Sequence, residues 1–184
     1  MYIRGIILAA GKSSRMGENK LKLKIENTTI VEKVIENAKH SMLDELVIIT
    51  GRYDIETDIE KLYNPEYEKG ISTAVKLGLK AFKGDAVMIL LGDMPFITTE
   101  IINSLYEGFV ESSKNIAVPV CIGKRGNPVV IGEKYFHQLL VNTGDKGARE
   151  IIINNSQDVE FIEIESEGIF MDIDDKVSYN ALRK

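Results

Sequence analysis

Tryptophan is missing from this sequence altogether, and 184 residues contain only one cysteine, two histidines and four prolines. A lone cysteine cannot close an internal disulfide, which excludes a stapled secreted scaffold and points to a reducing compartment. Cys121 sits in the run Ile116-Ala117-Val118-Pro119-Val120-Cys121-Ile122, so a small core residue is expected there rather than a nucleophile. His40 and His137 have no partners visible in the sequence and are expected at the surface. There is no linker, internal repeat or low-complexity tract. No long hydrophobic run occurs: Gly5 to Ala10 is too short for a signal segment or a membrane span. A soluble cytoplasmic protein is expected. Basic charge is also in short supply, since the net charge is −5. With no basic stripe outside one loop, nucleic acid is excluded as the main partner.

The remaining composition is that of a globular chain, with 44% hydrophobic and 28% charged residues. The length fits one domain and buries enough surface for a proper core. Ile3 to Ala9 is an unbroken apolar run, the pattern of a buried parallel strand. A helix is predicted over Thr29 to Ser41, with Ile30, Val31, Val34, Ile35 and Ala38 on one stripe. A strand at Leu46 to Thr50 and a short helix at about Asp54 to Leu62 follow. Asn64-Pro65 opens a loop that runs to Gly70. Then come a helix over Ile71 to Phe82, a strand over Ala86 to Leu91, and a helix capped by Thr98. This alternation implies right-handed crossovers and a mostly parallel sheet, hence an α/β fold. In such sheets ligands bind beyond the carboxyl ends of the strands. Those ends are the loops at Ala10 to Lys20, at Gly51, and at Gly92 to Pro95.

The second part reads differently. A strand over Ile116 to Ile122 is followed by a turn at Gly123-Lys124-Arg125-Gly126. Another strand starts near Asn127-Pro128, with Pro128 at an edge or a strand beginning. A short helix at Tyr135 to Leu140 and a longer one from about Lys146 to Asn154 are expected. Val159 to Glu165 alternates loosely. A last strand is predicted over Ile169 to Asp174.

The charge is concentrated in one place. Lys12, Arg15, Lys20, Lys22 and Lys24 stand against a single acid, Glu18, and leave −9 for the rest of the chain. A compact cationic loop on an acidic protein suits a small phosphate-rich ligand. The loop fails both common phosphate fingerprints. A Walker loop needs glycine five positions before Gly11, where Ile6 stands. A dinucleotide loop needs a middle glycine that Gly11 and Gly17 lack.

The stretch Leu8-Ala9-Ala10-Gly11-Lys12-Ser13-Ser14-Arg15-Met16-Gly17, followed by Asn19-Lys20-Leu21, resembles the signature of the MobA-like nucleotidyltransferases. This is the family of molybdenum cofactor cytidylyl- and guanylyltransferases. The likeness continues, in order, through Asn64-Pro65 and Gly70-Ile71-Ser72-Thr73, then Leu91-Gly92-Asp93-Met94-Pro95. It ends with Gly123-Lys124-Arg125-Gly126-Asn127-Pro128, Gly144-Asp145-Lys146-Gly147-Ala148-Arg149 and Asp172-Ile173-Asp174. One such motif is weak; six in order span nearly the whole chain.

The resemblance implies a Rossmann-like three-layer sandwich of the nucleotide-diphospho-sugar transferase type, in one domain. Residues 1–112 would bind the NTP; residues 113–184 would bind the acceptor and complete a metal site. Leu8, Ala9, Ala10 and Gly11 would meet base and ribose, where larger side chains would fill the slot. Gly11 to Ser14, with Lys12 and Ser13, would wrap the phosphates with backbone N–H groups. Lys12, Arg15 and Lys20 would offset the triphosphate charge. Lys20, Asp93 and Arg15 would be the catalytic groups. Asn64 and Ser72 match positions beside the nucleotide, although a turn and a helix cap would explain them equally well. Asp93, with Asp172 and Asp174, would hold Mg²⁺, which takes carboxylate and phosphate oxygens together. On the predicted last strand Asp172 and Asp174 would share a face; an acidic tail around them is the competing explanation.

Gly126, Asn127, Pro128 and Arg149 would hold the second substrate, a phosphorylated pterin-type acceptor. The family often has histidine where this chain has Asn127, which removes any proton carrier at that point. Ala10 favours CTP, because guanylyl members tend to have glycine there. Further partners implied are a molybdoenzyme or its chaperone. A guanylyl or other NTP transferase acting on a different phosphorylated acceptor stays open, as does a non-catalytic nucleotide-binding regulatory domain.

Overall fold

The computed structural model describes residues 1–11, 19–25, 27–173 and 179. In chain order the strands are β1 (Ile3–Ala9), β2 (Lys24–Ile25), β3 (Thr28–Thr29), β4 (Glu45–Thr50), β5 (Glu60–Tyr63), β6 (Ala86–Leu91), β7 (Ile116–Cys121), β8 (Lys124–Arg125), β9 (Val129–Gly132) and β10 (Val159–Glu163). The helices are α1 (Ile30–Lys39), α2 (Ile71–Leu79), α3 (Thr99–Glu111), α4 (Phe136–Val141) and α5 (Arg149–Asn154).

β1 is buried along its whole length. A strand without a polar face needs neighbours on both sides and cover above and below. It has parallel neighbours in β4 and β6. Among the described residues the main sheet runs β10-β7-β9-β6-β1-β4-β5, with β8 paired to the end of β7. β2 and β3 form a separate ribbon. β9 lies antiparallel between β6 and β7, so the sheet is mostly, not wholly, parallel.

Helices cover both faces. α1 and α3 bury Ile30, Val34, Ile102 and Leu105 against one face. α2, α4 and α5 bury Val75, Leu79, Leu139 and Ile152 against the other. Each such side chain contributes about 1.5–3 kcal/mol by leaving water. α1 starts where the sequence says it should. Thr29 Oγ1 accepts from the Glu32 N–H, and Glu32 accepts from the Thr29 N–H at 2.7 Å, a reciprocal cap. That backbone hydrogen bond holds the Glu32 carboxyl below its ordinary range. Thr98 caps α3 as predicted.

Three predicted elements are corrected. The segment Asp54 to Leu62 is not a helix: it is irregular and then enters β5, an edge strand too short and polar to show strand periodicity. The helix expected from Lys146 to Asn154 is broken at Gly147, whose φ of 51° a right-handed helix excludes. A 3₁₀ turn over Gly144–Lys146 precedes the break and α5 follows it. The last predicted strand, Ile169 to Asp174, is not a strand over its described residues. A 3₁₀ turn spans Glu167–Phe170, and the chain then crosses the carboxyl ends of the strands as a strap. Its Ile169 carbonyl accepts from the Asn127 N–H, and its Ile173 N–H donates to the Asp93 carbonyl. Bonds to two different loops replace a ladder. The shared-face argument for Asp172 and Asp174 therefore falls. Pro128 stands at the beginning of β9, an interior strand rather than an edge. Cys121 is buried, as expected.

At the opposite edge of the sheet, Asp158 ties three strand ends together. Its carboxylate accepts from the Asn115 backbone N–H at 3.1 Å, the Tyr135 hydroxyl at 2.7 Å and the Lys134 ammonium at 2.7 Å. Burial pushes this carboxyl up. The hydrogen bonds from Lys134, Tyr135 and Asn115 outweigh that and hold it well below the usual carboxylate range.

Candidate active site

The carboxyl ends of β1, β4 and β6 meet at one edge, and the chain segments that follow them build the site. Leu8, Ala9 and Ala10 are buried at the end of β1, and Gly11 is exposed. Nothing lies within 4 Å of where a Gly11 side chain would begin, so the chain emerges there into open space. Lys12, Ser13, Ser14, Arg15 and Gly17 lie outside the described residues, as does Asp174.

Lys20 enters from a short 3₁₀ turn, Lys20–Lys22, that Asn19 caps by accepting from the Leu21 N–H. Leu21 is 4% exposed and anchors the turn in the core, which leaves Lys20 little freedom. The Lys20 ammonium donates to Asp93 Oδ2 at 2.6 Å. Lys20 is itself only 9% exposed. A lysine so placed requires compensating acceptors.

Asp93 is fixed by its backbone. The Gly92 N–H donates to the Leu8 carbonyl and the Met94 N–H to the Leu91 carbonyl. Buried Met94 and Ile97 pin the loop behind it. The Ile173 N–H reaches the Asp93 carbonyl at 3.1 Å, which brings Asp172 to this edge. Among the described residues, no three Asp, Glu, His or Cys side chains gather closely enough to hold a metal alone.

The predicted nucleotide neighbours differ in kind. Asn64 is buried, and both ends of its amide serve the local turn. Nδ2 donates to Thr73 Oγ1 and Oδ1 accepts from the Glu66 N–H. Ser72, in the first turn of α2, is 2% exposed and its hydroxyl has no hydrogen-bond partner among the described residues. It does not cap the helix. A buried hydroxyl left unpaired costs about 1–3 kcal/mol, which an incoming ligand could offset.

On the far side of β6 a cleft of about 580 Å³ opens. Its floor is Ile89, Leu91, Val118 and Val129, from β6, β7 and β9. Ile71 and Val75 of α2 and Ile152 of α5 also line it, and Arg125, Lys146 and Arg149 bring cations to it. Of the predicted acceptor residues, Gly126, Asn127 and Arg149 line this cleft, and Pro128 lies buried beside them before β9. The antiparallel course of β9 explains the meeting. Val129 pairs with Ile89, so β9 begins where β6 ends, two residues from Leu91 and four from Asp93.

Two contributors were not assigned from sequence. Asp145 accepts from the Ile71 N–H and so caps α2 from a loop 74 residues away. A cap from such a distance leaves no sequence pattern. Arg125 lies in the stretch Gly123 to Pro128, which the resemblance ties to the second substrate, but the sequence gives it no role of its own.

A family model described as the MobA-like NTP transferase domain matches residues 5–159. The chain is 29% identical over 177 residues to the molybdenum cofactor cytidylyltransferase of Escherichia coli (strain K12), covering 92% of this chain and 89% of that one. It is 27% identical over 201 residues to the purine catabolism protein PucB of Bacillus subtilis (strain 168), covering 100% and 97%. A solved structure from Mycobacterium sp. strain JC1, a homologue of Mycobacterium tuberculosis Rv0371c, superposes with a TM-score of 0.86 at 25% identity, over 98% of this chain and 94% of that one. The Mycobacterium tuberculosis protein in complex with manganese shares the fold, with a TM-score of 0.81 at 20% identity, over 99% of this chain and 98% of that one.

Proposed function

The chain belongs to the MobA-like NTP transferase family, and from that premise we propose a Mg²⁺-dependent cytidylyltransferase that moves CMP from CTP onto the phosphate of a molybdopterin-type acceptor. The observation that carries this reading is the Lys20–Asp93 pair, 2.6 Å apart, two residues past Leu91, which lines a cleft with an apolar floor and cationic groups around it. An apolar floor suits a flat ring system, and guanidinium groups suit its phosphate.

The donor set fits Mg²⁺. That ion takes one or two carboxylates and completes its shell with water and substrate phosphates. Asp93 and Asp172 offer carboxylates at the same edge, Asp174 is a third donor by the family resemblance alone, and no closed protein cage is needed. When bound, the ion would offset phosphate charge and polarise the α-phosphoryl group.

The chain's own residues do the rest. Lys20 is held beside Asp93 and exchanges that partner for the triphosphate oxygens. Arg15 and Lys12, with the backbone of Gly11 to Ser13, gather the phosphates. Small Ala9 and Ala10 leave room for the base, and the Ala10 methyl narrows the slot towards a pyrimidine. Ser72 supplies a buried hydroxyl to the nucleotide. Asn64 contributes by shaping the turn. Gly126, Asn127, Pro128 and Arg149 seat the acceptor with its terminal phosphate towards Asp93. An acceptor phosphate oxygen attacks the α-phosphorus and pyrophosphate leaves. An anionic nucleophile needs no general base, so Asn127 in place of histidine costs nothing. Positioning and charge neutralisation supply the rate. The product would pass to a molybdoenzyme or its chaperone.

Titration with CTP, GTP, ATP and UTP in the presence of Mg²⁺, followed by pyrophosphate release with a pterin phosphate acceptor, tests this. Release with CTP is expected. Release with GTP alone would replace the cytidylyl reading with a guanylyl one. Tight binding without release would indicate a regulatory domain. No nucleotide binding would overturn both.

A further inference from the structure

We propose that Arg125, braced by Phe161, is a second anion anchor of the acceptor cleft, facing the same ligand as Arg149. The proposal rests on the reading of this cleft as the acceptor site and names the residues that select an anionic acceptor.

Three observations converge. First, Arg125 and Arg149 both line the cleft, and neither has a carboxylate partner among the described residues. Lys146 beside them does, in Glu150 at 2.7 Å. Asp145 is engaged with the first N–H of α2. Two unneutralised guanidinium groups at one cleft of an acidic chain mark it as built for an anion.

Second, strand register aims Arg125. It opposes Val120 across the β7–β8 pair, and Phe161 opposes Val118 across the β7–β10 pair. Val118 and Val120 share one face of the sheet, since alternate residues do. The arginine therefore reaches across β7 over that face, and its guanidinium carbon lies 4.8 Å from the Phe161 ring centroid.

Third, Phe161 is 40% exposed. An aromatic ring left open beside a guanidinium restricts the arginine's rotamers without using its N–H groups. Those groups stay available for bidentate contact with phosphate or carboxylate. Phe161 is thus a positioning residue and Arg125 the binding one. The class of occupant is a flat apolar body carrying an anionic group.

Phenyl phosphate is the minimal probe, with inorganic phosphate and phenol as its halves. Binding to the whole protein is followed by backbone amide shifts and calorimetry. Phenyl phosphate should bind in the cleft more tightly than either half. Arg125→Gln should weaken it about tenfold, and Arg125→Lys nearly as much, because lysine keeps the charge but loses the fork. Phe161→Leu should weaken binding about threefold in the parent and not at all in the Arg125→Gln background. CTP affinity should be unchanged throughout. Equal cleft binding by parent and Arg125→Gln overturns the anchor but leaves the acceptor site standing. Shifts confined to other surfaces, or no binding by the parent, overturn both. A Phe161→Leu effect that persists without Arg125 shows a merely structural ring and overturns its positioning role.

Discussion

Replacing Asp158 with alanine should destabilise the protein without touching the reaction. The carboxylate lies at the edge of the sheet opposite the Lys20–Asp93 pair and is only 18% exposed. Three residues lose a partner on substitution. The Tyr135 hydroxyl, on a residue 4% exposed, loses its acceptor, and so does the Asn115 N–H. Together these cost about 2 kcal/mol, since the penalty for an orphaned buried donor is about 1–3 kcal/mol and the two share one site. Lys134 is 57% exposed, so its ion pair adds no more than about 1 kcal/mol. The total of about 3 kcal/mol should lower the melting temperature by about 6–12 °C for a chain of this length. Differential scanning calorimetry at pH 7 reads this directly. The pH dependence gives a second handle. The folded state holds this carboxyl below its unfolded value, so the stabilisation is complete above the ordinary carboxylate range and is lost as pH falls through the folded value. The melting difference between parent and Asp158→Ala should therefore shrink in strong acid. A difference under about 2 °C at pH 7, or one that grows on acidification, would refute the reasoning.

Three other outcomes are expected. Asp93→Ala should lower turnover by about 10²-fold or more, the range for removing one electrostatic stabiliser; steady-state pyrophosphate release checks it, and near-normal turnover would sink the site assignment. Ile122 is an 81% exposed β-branched residue at φ 51° in the turn between β7 and β8. Ile122→Asn creates the Asn-Gly pair such turns prefer and should raise stability by about 1 kcal/mol, seen as an upward shift in thermal melting. Gly126→Ala places a methyl carbon 2.5 Å from the Ile169 carbonyl oxygen, a backbone atom of the strap. The strap must move, so acceptor affinity should fall by about tenfold or more while CTP affinity, measured by calorimetry, changes less.

The sequence was most legible where one physical constraint acted alone. β1, β4, β6 and β7 are apolar runs with turns behind them, and two faces of burial leave no other reading. Thr98 announced its helix because capping is local. The failures lie where the deciding partner is distant. β5 is an edge strand with polar residues on a short ladder, so it reads like an amphipathic helix. The strap near Asp172 looks like a strand by composition, yet its hydrogen bonds go to residues 127 and 93. The insertion of β9 between β6 and β7 is a matter of topology that no periodicity records. At the site, Lys20 and Asp93 were legible as motif residues, and the structure brings them together. Arg125 was legible only as one member of the loop from Gly123 to Pro128, because its orientation depends on Phe161, which lies on another strand.

The place of β9 also bears on how the chain could have been assembled or divided. Residues 1–112 contain an alternating strand-helix unit that looks self-sufficient. Cut there, Ala86–Leu91 would become a border strand, five of its six residues buried in the intact chain, and its backbone N–H and C=O groups would face water with no charged residue to guard them. Such a border invites pairing with any other chain. The antiparallel strand β9 thus also shields the sheet: residues 1–112 made alone should precipitate, and the rest of the chain cannot be exchanged for another module unless the replacement brings a strand to cover β6.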